Sequence, residues 1–161
     1  MTDFHQLYAT YAPDVHRFAL YLSGDPALAD DITSETFLRA WSSSAPIREA
    51  TVKSYLFTIA RHLYLHELRR RGRHEELPED LPSPAQSQEE LSQQSSALAA
   101  VFAALRRLPE RDRAALLMRA QDEMSYEEIG RALGLSAGAA RVKVHRARLK
   151  IVSWVPKEVM P

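Results

Sequence analysis

The chain has 161 residues, with 21 Lys and Arg against 21 Asp and Glu, five glycines and no cysteine. That length bounds it to one domain or two small ones, and the missing cysteine excludes disulfides and thiolate metal sites. The zero balance hides charge sorted into blocks: acidic up to Glu49, Arg-rich from Arg61 to Arg73, acidic without a basic residue from Glu75 to Glu90, and basic again beyond Leu105.

The amino-terminal MTDFHQLYATYAP is polar and carries no signal-peptide core, and no apolar run approaches membrane-spanning length. A soluble cytoplasmic protein without membrane insertion is expected. Ala, Leu, Arg and Glu dominate and no β-branched alternation appears, so the expected fold class is all-α.

Phe4, Leu7, Tyr8, Tyr11, Val15, Phe18, Ala19 and Leu22 recur at helical spacing, which predicts a first helix to about Leu22 that Pro13 should kink or split. Asp25-Pro26 supplies an N-cap and a first-turn proline for a second helix. Leu28, Ile32, Phe37, Leu38 and Trp41 are its apolar positions, and Asp30, Asp31 and Glu35 form an acidic edge. Ser42 to Pro46 reads as a loop, and Ile47 to Val52 leads to a third helix starting near Lys53 or Ser54.

That helix, SYLFTIARHLYLHELRRRGR, has two adjoining apolar stripes, one of Leu56, Ile59, Ala60 and Leu63, the other of Phe57, Tyr64 and Leu68. Its remaining face carries Tyr55, Thr58, His62, His66, Arg69 and Arg73, extended by Arg70 and Arg71. Interleaved aromatic and basic groups are what single-stranded nucleic acid needs for stacking and phosphate contact. The alternative is an amphipathic helix whose basic end satisfies its own carbonyls. His62 and His66 stand at zinc-ligand spacing, but no third ligand accompanies them, so no metal, cofactor or catalytic residue is expected.

Glu75 to Ser96 is rich in Pro, Ser, Gln and acid and reads as a flexible acidic linker. Leu98, Val101, Phe102, Leu105 and Leu108 then mark an amphipathic helix, and Pro109 begins another through about Gln121. Ser125 and Glu128 form a capping box, Ile129, Ala132 and Leu133 give an apolar edge, and Gly134 provides a left-handed stop before Leu135.

Ser136 caps the next helix, in which Ala140, Val144, Ala147 and Ile151 make one stripe to bury. Arg141, Lys143, Arg146, Arg148 and Lys150 point elsewhere with no acidic residue opposing them, and Ala137, Gly138 and Ala139 leave the amino end slim. This is the layout of a helix-turn-helix, whose second helix enters the major groove while flanking cations hold phosphates. The plainer alternative is a solvated basic helix at the end of a bundle. Val142 would face DNA and touch a thymine methyl, or is an incidental surface valine. Val152 to Pro161 reads as a tail whose Trp154 packs back on the domain.

Taken together, the chain resembles the extracytoplasmic-function group of bacterial RNA polymerase sigma factors over nearly its full length. DDITSETFLRAW looks like the polymerase-binding segment of that family, SYLFTIARHLYLHELRRRGR like its promoter-melting helix, and LPERDRAALLMRAQDEMSYEEIGRALGLSAGAARVKVHRAR like its minus-thirty-five-binding domain. The resemblance implies two small helical domains, residues 1–74 and 97–161, joined by the 75–96 linker.

It further implies docking of Asp30, Asp31, Glu35, Phe37 and Leu38 on the clamp helices of the polymerase β′ subunit, with the last domain also meeting the β flap. Minus-ten contacts are expected from Tyr55, Arg61, His62, His66, Arg69, Arg70 and Arg73. Minus-thirty-five contacts are expected from Ser136, Arg141, Val142, Lys143, His145, Arg146 and Arg148. An anti-sigma protein is expected as a further partner, and no covalent chemistry.

The family commonly has Gln where Ser34 stands, Asn and Asp at His62 and His66, and Thr, Val and Ser at Ala139, Ala140 and Val142. A histidine at position 62 on the melting face permits pH-dependent DNA affinity, because imidazole as a class titrates near neutrality. Two other functions fit parts of the chain. A free-standing helix-turn-helix regulator would bind an operator without polymerase, and a metal-dependent nucleic-acid enzyme would use His62, His66 and nearby carboxylates.

Overall fold

A computed structural model describes residues 3–43, 51–74 and 96–155, the side chains of Arg73 and His74 excepted. The linker assigned to 75–96 lies outside the described residues apart from Ser96, as do 44–50 of the second loop and 156–161 of the tail. Among the described residues there are seven helices and no strand, in two compact units, Met1–Pro82 and Ser83–Pro161.

The first unit holds α1 (Phe4–Ser23), α2 (Pro26–Ser42) and α3 (Val52–His74), each packed on the other two. Asp3 caps α1 by accepting from the Gln6 N–H at 2.7 Å. Of the two effects expected of Pro13, the split does not occur: α1 continues through it as one helix. Pro13 is exposed, while Leu7, Val15, Phe18, Ala19 and Leu22 are buried around it. Burying side chains of this size yields about 1.5–3 kcal/mol each, which outweighs the ~3 kcal/mol cost of an interior proline.

The joint between α1 and α2 is two residues long. Gly24 takes the left-handed conformation, φ 69°, and its N–H returns to the Leu20 carbonyl at 2.7 Å. Asp25 then accepts from the Leu28 N–H at 3.1 Å, ahead of Pro26 in the first turn. The core that results is aromatic: Phe18 stacks on Phe57 with ring centroids 4.6 Å apart, joining α1 to α3. Leu56, Phe57, Ala60 and Tyr64 are buried along α3, while Ile59, Leu63 and Leu68 are half-buried.

The second unit holds α4 (Ser96–Arg107), α5 (Glu110–Ala120), α6 (Tyr126–Leu133) and α7 (Ala137–Trp154), with α7 packed on the other three. Its core is Phe102, Leu105, Leu108, Leu117, Met118, Met124, Ile129, Leu133, Ala140, Val144 and Ala147. Arg113 is buried in this core and closes the carboxyl end of α4, donating to the Leu105 carbonyl at 2.9 Å and the Leu108 carbonyl at 3.1 Å. The segment from Val152, expected as tail, continues α7 to Trp154, whose ring lies under the Arg107 guanidinium at 4.1 Å.

Candidate polymerase-docking and nucleic-acid surfaces

The acidic edge of α2 is a real surface. Asp30 and Asp31 are exposed and Glu35 is half-buried. Two of them meet partners within the unit: the His16 ring nitrogen of α1 lies 2.9 Å from Asp30, and Arg39 donates to Glu35 at 3.2 Å one turn on. Leu38 is 56% exposed on the same helix, a large apolar side chain left in solvent beside acids.

Phe37 does not belong to that surface. It is 1% exposed, with the Tyr8 ring set edge-on at 5.0 Å, so it holds α2 against α1 and cannot itself touch a docked protein. Trp41 takes the exposed place, at 62%, one turn beyond Leu38 and against Phe4 at 4.9 Å. Sequence periodicity counts Phe37, Leu38 and Trp41 alike as apolar; only the register of α1 across α2 decides which one turns inward.

On α3 the expected face is largely exposed: His62, His66, Arg69 and Arg70 are in solvent, while Tyr55, Thr58 and Arg61 are half-buried. The Arg73 side chain lies outside the described residues. Two arginines of the basic end are engaged within the unit. Arg70 donates to Glu67, and Arg71 reaches both Glu67 at 3.2 Å and Asp25 at 3.6 Å. The Arg70 hydrogen bond, opposed by burial and helped by Arg71, holds the Glu67 carboxyl below the usual carboxylate range.

The acids expected to dock and the helix expected to melt DNA are separate sets in the sequence; the fold brings their edges together. Asp31 and Glu35 of α2 and His66, Glu67 and Arg70 of α3 line one shallow groove of about 400 Å³. His62 is not among those lining residues. Among the described residues no cluster of three or more potential metal ligands occurs.

In the second unit the turn is built as its residues dictate. Ser125 accepts from the Glu128 N–H at 3.1 Å and returns its own N–H to the Glu128 carboxylate at 2.8 Å. Gly134 stops α6 at φ 70°, and the N–H groups of Gly134 and Leu135 both return to the Gly130 carbonyl, the latter at 2.9 Å. Ser136 then accepts from the Ala139 N–H at 3.1 Å, so this exposed hydroxyl caps α7 as well as standing at its amino end. Arg111 closes the turn from below by donating to the Leu133 carbonyl.

Along α7, Ala140, Val144 and Ala147 face inward, while Arg141, His145, Arg146, Arg148 and Lys150 are exposed and Val142 is 47% exposed. Lys143 differs from expectation, since an acid does oppose it. Its ammonium lies 2.7 Å from Asp112 of α5, with both side chains largely covered, so it ties α7 to α5 rather than extending the basic face. Arg111, Arg113 and Arg119 likewise spend their donors on backbone carbonyls. The basic excess beyond Leu105 therefore divides into arginines that build the unit and a face on α7 that meets solvent.

A slim, capped amino end, an exposed β-branched residue and a row of exposed guanidinium groups on one helix suit a major groove and its phosphates. Comparison with known proteins agrees in kind. The family model for sigma-70 region 2 matches residues 7–74 and that for sigma-70 region 4 matches residues 98–151. The chain is similar to the ECF RNA polymerase sigma factor SigE of Mycolicibacterium smegmatis, at 36% identity over 98% of this chain and 63% of that protein's length. Its similarity to the ECF RNA polymerase sigma factor EcfG of Rhodopseudomonas palustris is 32% identity over 86% of this chain and 77% of the relative. Among solved structures, the sigma factor RpoE of Bartonella quintana, crystallised with the anti-sigma factor NepR, matches at a TM-score of 0.77 and 26% identity, covering 96% of this chain and 97% of that one.

Proposed function

This chain belongs to the extracytoplasmic-function group of RNA polymerase sigma factors, and from that premise we propose that it binds core RNA polymerase, directs it to two-element promoters and assists their melting. It acts as an initiation factor and carries out no covalent chemistry. The observation that carries the reading is one chain holding both an acidic, apolar-tipped surface on α2 and an exposed basic face on a helix that follows a capped turn. A free-standing operator-binding regulator would leave the first of these without a use.

In this reading Asp30, Asp31, Glu35 and Leu38, with Trp41, meet the β′ clamp helices, and Phe37 supports them from beneath. An acidic rim around exposed apolar side chains complements a basic, apolar partner. Tyr55, Arg61, His62, His66, Arg69 and Arg73 of α3 receive the opened strand, with Arg70 shared between Glu67 and phosphate. Unpairing costs a few kcal/mol, and stacking at about 1–3 kcal/mol per base together with phosphate contacts offsets it.

Arg141, Val142, His145, Arg146 and Arg148 read or grip the minus-thirty-five element, with Ser136 at the groove edge. The β flap is a second contact of this unit, and an anti-sigma protein of the class solved with RpoE is a natural antagonist. The test is co-elution of the chain with core polymerase of its source organism. Wild type should co-elute and Leu38→Asp should not, while Val152→Ala, a change on α7, should leave docking intact. Co-elution that ignores Leu38→Asp would remove α2 from the docking role.

A further inference from the structure

Two cations from different helices converge on one aromatic ring. Tyr126, half-buried, opens α6, and the guanidinium carbons of Arg119 from α5 and Arg141 from α7 lie 4.7 Å and 4.8 Å from its ring centroid. Arg119 is fixed there, because its Nη1 donates to the Met124 carbonyl at 2.9 Å. Arg141 is exposed, and among the described residues its ring contact is the one that restrains it. Like charges drawn to one place repel, and the negative face of the ring is what favours the arrangement.

We propose that Tyr126 is a positioning residue for DNA binding: its ring holds the Arg141 guanidinium in place, so that its N–H donors are presented to the promoter. The inference rests on α7 being the minus-thirty-five reader. A guanidinium that spends its face on a ring keeps its fork of donors at the edge, where bidentate contact with a phosphate or a guanine is made. An unrestrained arginine loses its rotamer freedom on binding; one already held over a ring loses less, and affinity rises accordingly. Arg119, itself tied to the Met124 carbonyl, makes a second contact with the same ring and ties it to α5.

The strength of an exposed cation–π contact sets the expected size of the effect, about two- to fivefold in promoter affinity. The experiment compares full-length Tyr126→Phe, Tyr126→Leu, Arg141→Ala and the Tyr126→Leu/Arg141→Ala double variant. Each is read by holoenzyme binding to a start-site-mapped promoter fragment and by NMR of the Arg141 δ protons, which a ring beneath them shifts upfield. Wild type and Tyr126→Phe should show the upfield shift and the full affinity. Tyr126→Leu should lose both, with no further loss when added to Arg141→Ala.

Equal losses from Tyr126→Leu in the wild-type and Arg141→Ala backgrounds would overturn the proposal, since Tyr126 would then act only through the fold. A lost NMR shift with affinity unchanged would overturn it too. If Arg141→Ala itself leaves promoter affinity unchanged, the assignment of α7 as the reader fails instead, whatever the NMR shows.

Discussion

Gly130 stands inside α6, and its replacement by alanine should destabilise the second unit although alanine is the better helix former. A Cβ at this position would drive into the Leu135 carbonyl oxygen and press on the Leu135 and Ser136 carbonyl carbons at 3.4 Å. Those atoms are backbone, held by the Leu135 N–H to Gly130 carbonyl bond at 2.9 Å, and they cannot swing aside as a side chain would. Overpacking costs about 1–3 kcal/mol and the Gly-to-Ala helix gain returns about 0.5–1, a difference of about 0–2.5 kcal/mol; because the atoms met are fixed backbone, a net loss of about 1–2 kcal/mol is expected. For a unit of this size that lowers the melting temperature by about 4–16 °C.

The assay is thermal unfolding followed by fluorescence in a Trp41→Phe background, where Trp154 alone reports and belongs to the second unit. Gly138→Ala, in the same motif, is the control. A Cβ there meets nothing within 4 Å, so it should raise the melting temperature, by about 0.4–1 kcal/mol in stability. If Gly130→Ala is as stable as Gly138→Ala, the close packing of α6 on the turn to α7 is not what the geometry says it is.

Glu123 holds a left-handed φ of 52° without being glycine, and Glu123→Gly should stabilise the second unit by about 0.5–1 kcal/mol in chemical denaturation. Arg113→Met should cost about 2–4 kcal/mol by leaving the Leu105 and Leu108 carbonyls without their buried donor, with DNA contacts unaffected once folded. Arg146→Ala should do the reverse, sparing stability and lowering the slope of log affinity against log salt by about 0.9 for one lost phosphate contact. Glu67 has a depressed folded pKa, so its contribution is present above the ordinary value of 4.5 and disappears as pH falls through the folded one. Glu67→Gln should therefore flatten the acid limb of the stability profile of the first unit, measured by urea unfolding from pH 6 to about 3.

What was legible in the sequence was whatever is encoded over four residues or fewer. The Asp25-Pro26 start, the Ser125/Glu128 box, the Gly134 stop and the Ser136 cap appear where their chemistry puts them, because each satisfies backbone groups of its own helix end. The stripe read from three- and four-residue spacing is buried at Ala140, Val144 and Ala147 and half-buried at Ile151, near the end of the helix. What escaped was pairing across the fold. Lys143 finds Asp112 from 31 positions away, Arg111 finds Leu133 from 22, and no local spacing announces either. Phe37 and Trp41 exchanged places because an apolar residue on a helix does not declare whether a neighbour covers it. Pro13 shows the limit of a local rule, since the burial of five side chains around it overrides what proline does to an isolated helix.

Transcription directed by this chain is the central claim, and the most direct measurement of it is start-site mapping of transcripts made by purified core polymerase on genomic fragments, with and without the chain. It predicts discrete start sites that appear only when the chain is added, share sequence near minus ten and minus thirty-five, and vanish with Leu38→Asp or with Arg141→Ala/Arg146→Ala. An unchanged transcript set, with the chain alone protecting a specific duplex from cleavage, would contradict it.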